Sequence, residues 1–107
     1  MRHAGLAVSV AGALCAAPLA AQTIQEETRC LIVSNVFLKA AKDEQARRAA
    51  AMSAGYYIGR LSQRPQTPAL KAALATPPAG LTNANAGAVM NACVARVSQS
   101  ETALRRK

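Results

Sequence analysis

The residues of this chain that could do chemistry are few. The chain of 107 residues contains three cysteines, five carboxylates and one histidine, His3. His3 lies in a segment that we interpret below as a cleaved leader, so the remaining chain has no imidazole to activate a serine or cysteine nucleophile. Two pairs of the carboxylates are adjacent in sequence, and adjacent residues of a helix point in different directions. We therefore expect a protein that is not an enzyme.

Binding sites for metals, cofactors and nucleic acids are not expected either. No cluster of cysteine, histidine or carboxylate residues has the spacing of metal ligands, and no glycine-rich phosphate motif is present. Only Phe37, Tyr56 and Tyr57 are aromatic, and the basic residues are scattered rather than interleaved with them, as single-stranded nucleic acid binding would require.

The N-terminus is typical of a secretory signal peptide. Arg2 and His3 precede an uncharged, apolar run that ends in small residues at Ala21, which predicts a signal peptide over 1–21 and a mature domain over 22–107. An uncleaved membrane anchor is the alternative. Lipid modification of Cys15 is disfavoured because Leu14 precedes it. The predicted location is the periplasm or the extracellular space.

Removal of the signal peptide leaves two cysteines, Cys30 and Cys93. An even number of cysteines in an exported chain predicts a disulfide bond, with two free buried thiols as the alternative. Because the pair lacks the CxxC spacing of thiol–disulfide oxidoreductases, we interpret the bond as structural.

The mature chain opens with Thr23-Ile24-Gln25-Glu26, a capping box that predicts a first helix ending near Lys42. A stripe at helical spacing places Cys30 on its buried face, although the β-branched stretch 30–38 would also suit a buried strand. We expect a break at 41–43 with Asp43 as the next N-cap; one long kinked helix is the alternative. The apolar residues of the first stripe are Cys30, Val33, Phe37 and Ala41.

A second helix over 43–64, stopped by Pro65, is predicted to be the centre of the bundle. A row of small residues, Ala51, Gly55 and Gly59, is spaced four apart and suggests close packing of a neighbouring helix. A large side chain at Gly55 is then expected to overpack this contact. The predicted apolar face comprises Ala46, Ala50, Ala54, Tyr57, Ile58 and Leu61.

Two further helices complete an all-α fold of three to four helices braced by one disulfide. Thr67-Pro68 predicts an N-cap followed by proline in the first turn of a short helix, and a stiff linker with prolines at 77 and 78 turns at Gly80. The last helix is predicted to start near Thr82 or Asn83. Its apolar stripe comprises Ala86, Val89, Met90, Cys93, Val97 and Leu104.

The formal net charge of +8 at pH 7 favours acidic partners or anionic surfaces. Methionine and tyrosine side chains on the second helix could form an adaptable contact surface, and its arginines could pair with an acidic partner. Packing under another helix and solvated arginines are the respective alternatives. The candidate contact residues are Arg47, Arg48, Met52, Tyr56, Arg60 and Arg64.

The layout resembles two kinds of small exported helical protein. The distant pair Cys30 and Cys93, the second inside the late segment AGLTNANAGAVMNAC, is similar to the HdeA-type periplasmic acid-stress chaperones. The glycine-spaced helix around Gly55 and Gly59 resembles the Tai-type immunity proteins of type VI secretion. Both resemblances imply a helical periplasmic domain that binds another protein. The five carboxylates argue against a strong acid switch.

The leading hypothesis is therefore a non-enzymatic periplasmic protein that binds a protein client or a dedicated protein partner. The alternative is a basic envelope protein that binds anionic lipid or lipopolysaccharide. Salt distinguishes the two, because exposed charges are screened beyond roughly 8 Å at physiological ionic strength.

Cys30→Ser is expected to lower the free energy of unfolding by roughly 2–5 kcal/mol, the usual loss for a native disulfide in a small exported domain. Thermal melts with and without reductant measure the effect. A melt of the wild-type protein that reductant leaves unchanged would show that the cysteines are not paired.

Overall fold

The computed structural model describes residues 20–106, which form four helices and no strand. The helices are α1 (Ile24–Ala40), α2 (Glu44–Ser62), α3 (Pro68–Ala75) and α4 (Ala86–Arg105). The predicted all-α fold is confirmed. The predicted signal peptide lies outside the described residues except for Ala20 and Ala21. None of the four helices combines the length and the apolar character needed to cross a membrane.

The beginnings of the first two helices follow from their capping residues. At α1 the Thr23 backbone N–H donates to Glu26 Oε1 at 2.8 Å, and the Glu26 N–H donates to Thr23 Oγ1 at 3.1 Å. At α2 the Asp43 carboxylate accepts from the Ala46 N–H at 2.9 Å. Each cap satisfies N–H groups that have no partner inside the helix. Both predicted caps are confirmed, and α1 and α2 are separate helices.

The later helices begin at less uniform signals. Thr67 Oγ1 accepts from the Leu70 N–H at 3.2 Å, with Pro68 in the first turn of α3 as predicted. Before α4, Thr82 and Asn85 exchange two side-chain-to-backbone hydrogen bonds that hold a turn. α4 itself therefore starts at Ala86, three residues after Asn83, the later of its two predicted starting positions. The linker turns at Gly80, whose φ is +82°, a backbone conformation that residues with a side chain rarely adopt.

The element that contacts every other helix is α1, not α2. α2 packs along α1 and also contacts α4, whereas α3 packs against α1 alone. The prediction that the second helix is the centre of the bundle is therefore wrong. The physical reason is that α1 is buried around much of its circumference. Its buried residues are Glu27, Thr28, Cys30, Val33 and Ser34.

The disulfide bond lies inside the main hydrophobic cluster and joins α1 to α4. Cys30 and Cys93 are bonded, with their Cα atoms 5.6 Å apart, and each is 5% exposed or less. The predicted pairing is confirmed, and the alternative of two free thiols is wrong. The cluster consists of Cys30, Val33, Ala50, Tyr57, Met90, Cys93 and Val97.

The predicted packing row of small residues faces outward. Ala51, Gly55 and Gly59 are exposed, and a Cβ atom built on either glycine would meet nothing within 4 Å. The close-packing prediction is therefore wrong for the described part of the chain. α2 packs instead through another row, whose members are all buried. They are Ala50, Ala54, Tyr57 and Leu61. This orientation also leaves Ile58 52% exposed, contrary to prediction, and the predicted core residue Leu104 of α4 is 70% exposed.

Gly55→Ala is expected to stabilise the protein by about 0.5–1 kcal/mol, because alanine loses less backbone entropy in a helix and its methyl group meets no neighbour. Chemical denaturation measures the change. Gly80→Ala serves as the control and should destabilise, because its φ is in the left-handed region. A destabilised Gly55→Ala protein would show that another element packs on the small row.

Candidate functional site

A buried carboxylate held by two arginines closes one end of the α1–α2 hairpin. The Glu27 side chain is 1% exposed. Arg64 Nε donates to Glu27 Oε1 at 2.6 Å, and Arg60 Nε donates to Glu27 Oε2 at 3.1 Å. Arg64 also donates to the Gln22 carbonyl at 2.8 Å. The cluster thus joins α1, the end of α2 and the segment before α1 through charge-assisted hydrogen bonds.

The helical repeat explains the position of this cluster. Glu27 lies three residues before Cys30 and seven before Ser34, so it shares their buried face. Arg60 lies in the last turn of α2 and Arg64 lies two residues beyond its end, and each binds a different oxygen of the carboxylate. Their side chains remain 45% and 27% exposed. The guanidinium groups therefore keep part of their hydration while they neutralise the buried charge, which reduces the desolvation cost.

Tyr57 is the second group that holds the segment before α1. It is fully buried, and its hydroxyl donates to Gln22 Oε1 at 2.9 Å. Burial raises the pKa of Tyr57 because the phenolate would lose its hydration. Gln22 is therefore fixed through its side chain by Tyr57 and through its backbone by Arg64.

Two hydroxyl pairs cross between helices. Ser34 and Ser53, both fully buried, hydrogen-bond at 2.7 Å between α1 and α2. Tyr56 Oη and Ser100 Oγ lie 3.0 Å apart between α2 and α4. Tyr56 thus packs under another helix, which was the alternative interpretation of this residue.

The six predicted contact residues do not form one surface. Arg47 and Arg48 are exposed and each lies 3.6 Å from Glu44, and Met52 is 45% exposed. Tyr56 turns inward as described above, and Arg60 and Arg64 are bound to Glu27. The single predicted surface is therefore wrong. Arg47, Arg48 and Met52 remain on the outside of α2.

A groove lies between α1 and α3. Its volume is about 430 Å³, and its α3 wall is formed by Ala69, Ala72 and Ala73, with Pro77 and Pro78 at its end. A smaller cleft of about 350 Å³ lies between α1 and α4 beside the disulfide. A mostly apolar concave site of this size is typical of small-ligand sites in proteins.

The polar groups of the α1–α3 groove are concentrated on α1. The Thr28 hydroxyl donates to the Ile24 carbonyl and the Thr76 hydroxyl donates to the Ala72 carbonyl, so both donors are already used. Gln25 and Arg29 line the groove one helical turn apart. Across residues 20–106, no carboxylate lies within 4.0 Å of the Arg29 guanidinium.

All five carboxylates of the chain are engaged within it. Glu26 and Asp43 cap helices. Glu27, Glu44 and Glu101 pair with arginines. Several cations, by contrast, form no ion pair in the described part of the chain. They are Arg29, Lys39, Lys42, Lys71, Arg96 and Arg106, and of these Arg96 donates to the Ala20 carbonyl.

Sequence reasoning missed Glu27 and the pair Gln25 and Arg29. From the sequence, Glu27 was interpreted as a charge that stabilises the N-terminus of a helix. Its spacing of three residues from Cys30 was the signal that it lies on the buried face. Gln25 and Arg29 carried no comparable signal, because they line a groove only when α3 lies beside α1.

Comparisons of the chain with protein-family models, with curated proteins and with solved structures found no match. The resemblance to HdeA-type chaperones and Tai-type immunity proteins therefore stays a prediction.

Glu27→Gln is expected to lower the free energy of unfolding by about 3 kcal/mol, the lower end of the range for breaking a buried ion pair, because both arginines keep some access to water. Chemical denaturation of the two proteins measures the loss. Glu101→Gln is the matched control: it breaks the exposed pair with Arg105 and should cost less than about 0.5 kcal/mol. Equal losses for the two variants would contradict a structural role for Glu27.

The raised pKa of Tyr57 predicts a loss of stability in alkali. Because the folded state holds the phenolic proton more tightly than the unfolded chain, this contribution is fully present below the ordinary pKa of 10.0. It is lost as pH rises through the folded-state pKa. Denaturation at a series of alkaline pH values should show a shallower fall in stability for Tyr57→Phe than for the wild type. An identical fall in stability for the two proteins would refute the contribution of Tyr57. Tyr56→Phe is the control, because it removes a tyrosine hydroxyl and retains Tyr57.

Proposed function

We propose that the protein is a non-enzymatic, extracytoplasmic helical domain that binds another protein through acidic groups of that partner. The observation that carries this proposal is the complete engagement of its own carboxylates. Each of the five either caps a helix or pairs with an arginine. An acidic partner therefore meets little repulsion, and the excess of cations steers its approach.

The unpaired cations come from several parts of the fold. Lys39 and Lys42 lie at the α1–α2 turn, Lys71 lies on α3, and Arg106 follows α4. Large apolar side chains accompany them on the surface, with Val36 52% exposed and Met52 45% exposed. Scattered exposed apolar residues are normal in soluble proteins, so they support the proposal without carrying it.

Two kinds of protein partner fit this chemistry. One dedicated partner would be expected of a protein like the Tai-type immunity proteins. A set of unfolded clients would be expected of a protein like the HdeA-type chaperones. The disulfide bond and the small number of carboxylates, five in all, support the dedicated partner, because acid can protonate only these few groups.

A second candidate function is binding of anionic lipid or lipopolysaccharide. The net charge of +8 favours it. Such binding would be lost at high salt, whereas apolar contacts with a protein would survive.

The test is crosslinking in living cells, with a tagged protein that carries a photoreactive residue at exposed position 36 or 58. Captured material is identified by mass spectrometry at neutral and at acid pH. The expected result is one dominant protein at both pH values; a broad set that appears only in acid would indicate a chaperone. Failure to capture protein from either position, together with salt-sensitive binding to anionic vesicles, would replace the proposal by the second candidate.

A further inference from the structure

We propose that the α1–α3 groove is a binding site for a single-chain anionic amphiphile, a free fatty acid. Its carboxylate would lie against Arg29 and Gln25, and its alkyl chain would lie along the alanine wall of α3. This site is separate from the protein-binding function proposed above and does not depend on it.

The charge of the groove indicates the head group. Among residues 20–106, Arg29 is the one ionisable residue that lines the groove, and no carboxylate lies within 4.0 Å of its guanidinium group. Gln25 lies one turn away on the same face of α1 and supplies an amide donor. Because Thr28 and Thr76 already donate to helix carbonyls, the side-chain donors that remain in the groove are those of Gln25 and Arg29, both on α1.

The opposite wall indicates the rest of the ligand. Ala69, Ala72 and Ala73 present methyl groups, and Pro77 and Pro78 close the end without a free N–H. A ligand there needs an apolar body that makes no hydrogen bonds. The polar pole on α1 and the apolar wall on α3 together match a molecule that has one anionic end.

The volume of the groove favours one chain over two. At about 430 Å³ it lies toward the lower end of the range of roughly 300–1,000 Å³ for small-molecule sites. A diacyl lipid carries two long chains and a bulky head group and does not suit this volume. We therefore assign the groove to a free fatty acid rather than to a bilayer lipid.

Calorimetric titration of the full chain with decanoate, below the concentration at which it forms micelles, tests the assignment. Acetate supplies the head group without a tail, and decyltrimethylammonium supplies a tail with the opposite charge. The expected result is one saturable decanoate site per chain, no binding of acetate, and cationic binding weaker by about tenfold, since charge-assisted hydrogen bonds are the stronger class.

Two variants locate the site. Arg29→Gln should weaken decanoate binding by about tenfold, through loss of the charge-assisted hydrogen bond, and Ala72→Phe should abolish binding by filling the groove. Lys71→Gln is the matched control, because it removes a positive charge from an exposed residue of α3 that does not line the groove. Thermal melts confirm that each variant is folded.

The methyl resonances of Ala69, Ala72 and Ala73 should shift in nuclear magnetic resonance spectra on addition of decanoate. The proposal is overturned if decanoate does not bind, or if Lys71→Gln weakens binding as much as Arg29→Gln. It is also overturned if a folded Ala72→Phe protein binds as tightly as the wild type. Shifts confined to other residues would place the fatty acid elsewhere and would equally overturn it.

Discussion

The structure depends first on the covalent bond between Cys30 and Cys93. The bond joins two residues that are 63 positions apart in sequence, and restriction of the unfolded chain by a loop of that size is worth about 4 kcal/mol in the chain-entropy model. Domains of this length gain only a few kcal/mol from one hydrophobic core. The bond also holds α4 against α1, and α1 is the central helix because α3 packs against it and not against α2.

Polar groups inside the bundle then determine how the helices sit on one another. The Ser34–Ser53 hydrogen bond and the Glu27 cluster lie between the same two helices, about two turns apart along α1. If α2 slid or rotated by one residue, the buried carboxylate and the buried hydroxyls would lose their partners, which costs more than a comparable change among apolar side chains. These contacts therefore specify the register of an alanine-rich helix whose small side chains specify little.

The sequence predicted features that have local causes. The capping residues Thr23, Asp43 and Thr67 each act within three residues, and the disulfide followed from the even count of cysteines outside the predicted signal peptide. The orientation of α2 was not predictable in this way. Its small row lies beside its true packing row, and the choice between them depends on partners in α1 and α4. The groove was missed for a related reason, since it requires α3 to lie on α1 and no single residue encodes that placement.

α3 has a consequence of its own for motion. It is a two-turn helix with one buried residue, Leu70, and it contacts α1 alone. It lies inside the loop that the disulfide closes, and neither of its own ends is crosslinked. Elements with so little buried area open locally at a small fraction of the global unfolding free energy. We therefore expect α3 to detach before the other three helices, as a flap between Pro65 and the two prolines at 77 and 78. A molecule that enters beneath it can widen the space without disturbing the core around Tyr57.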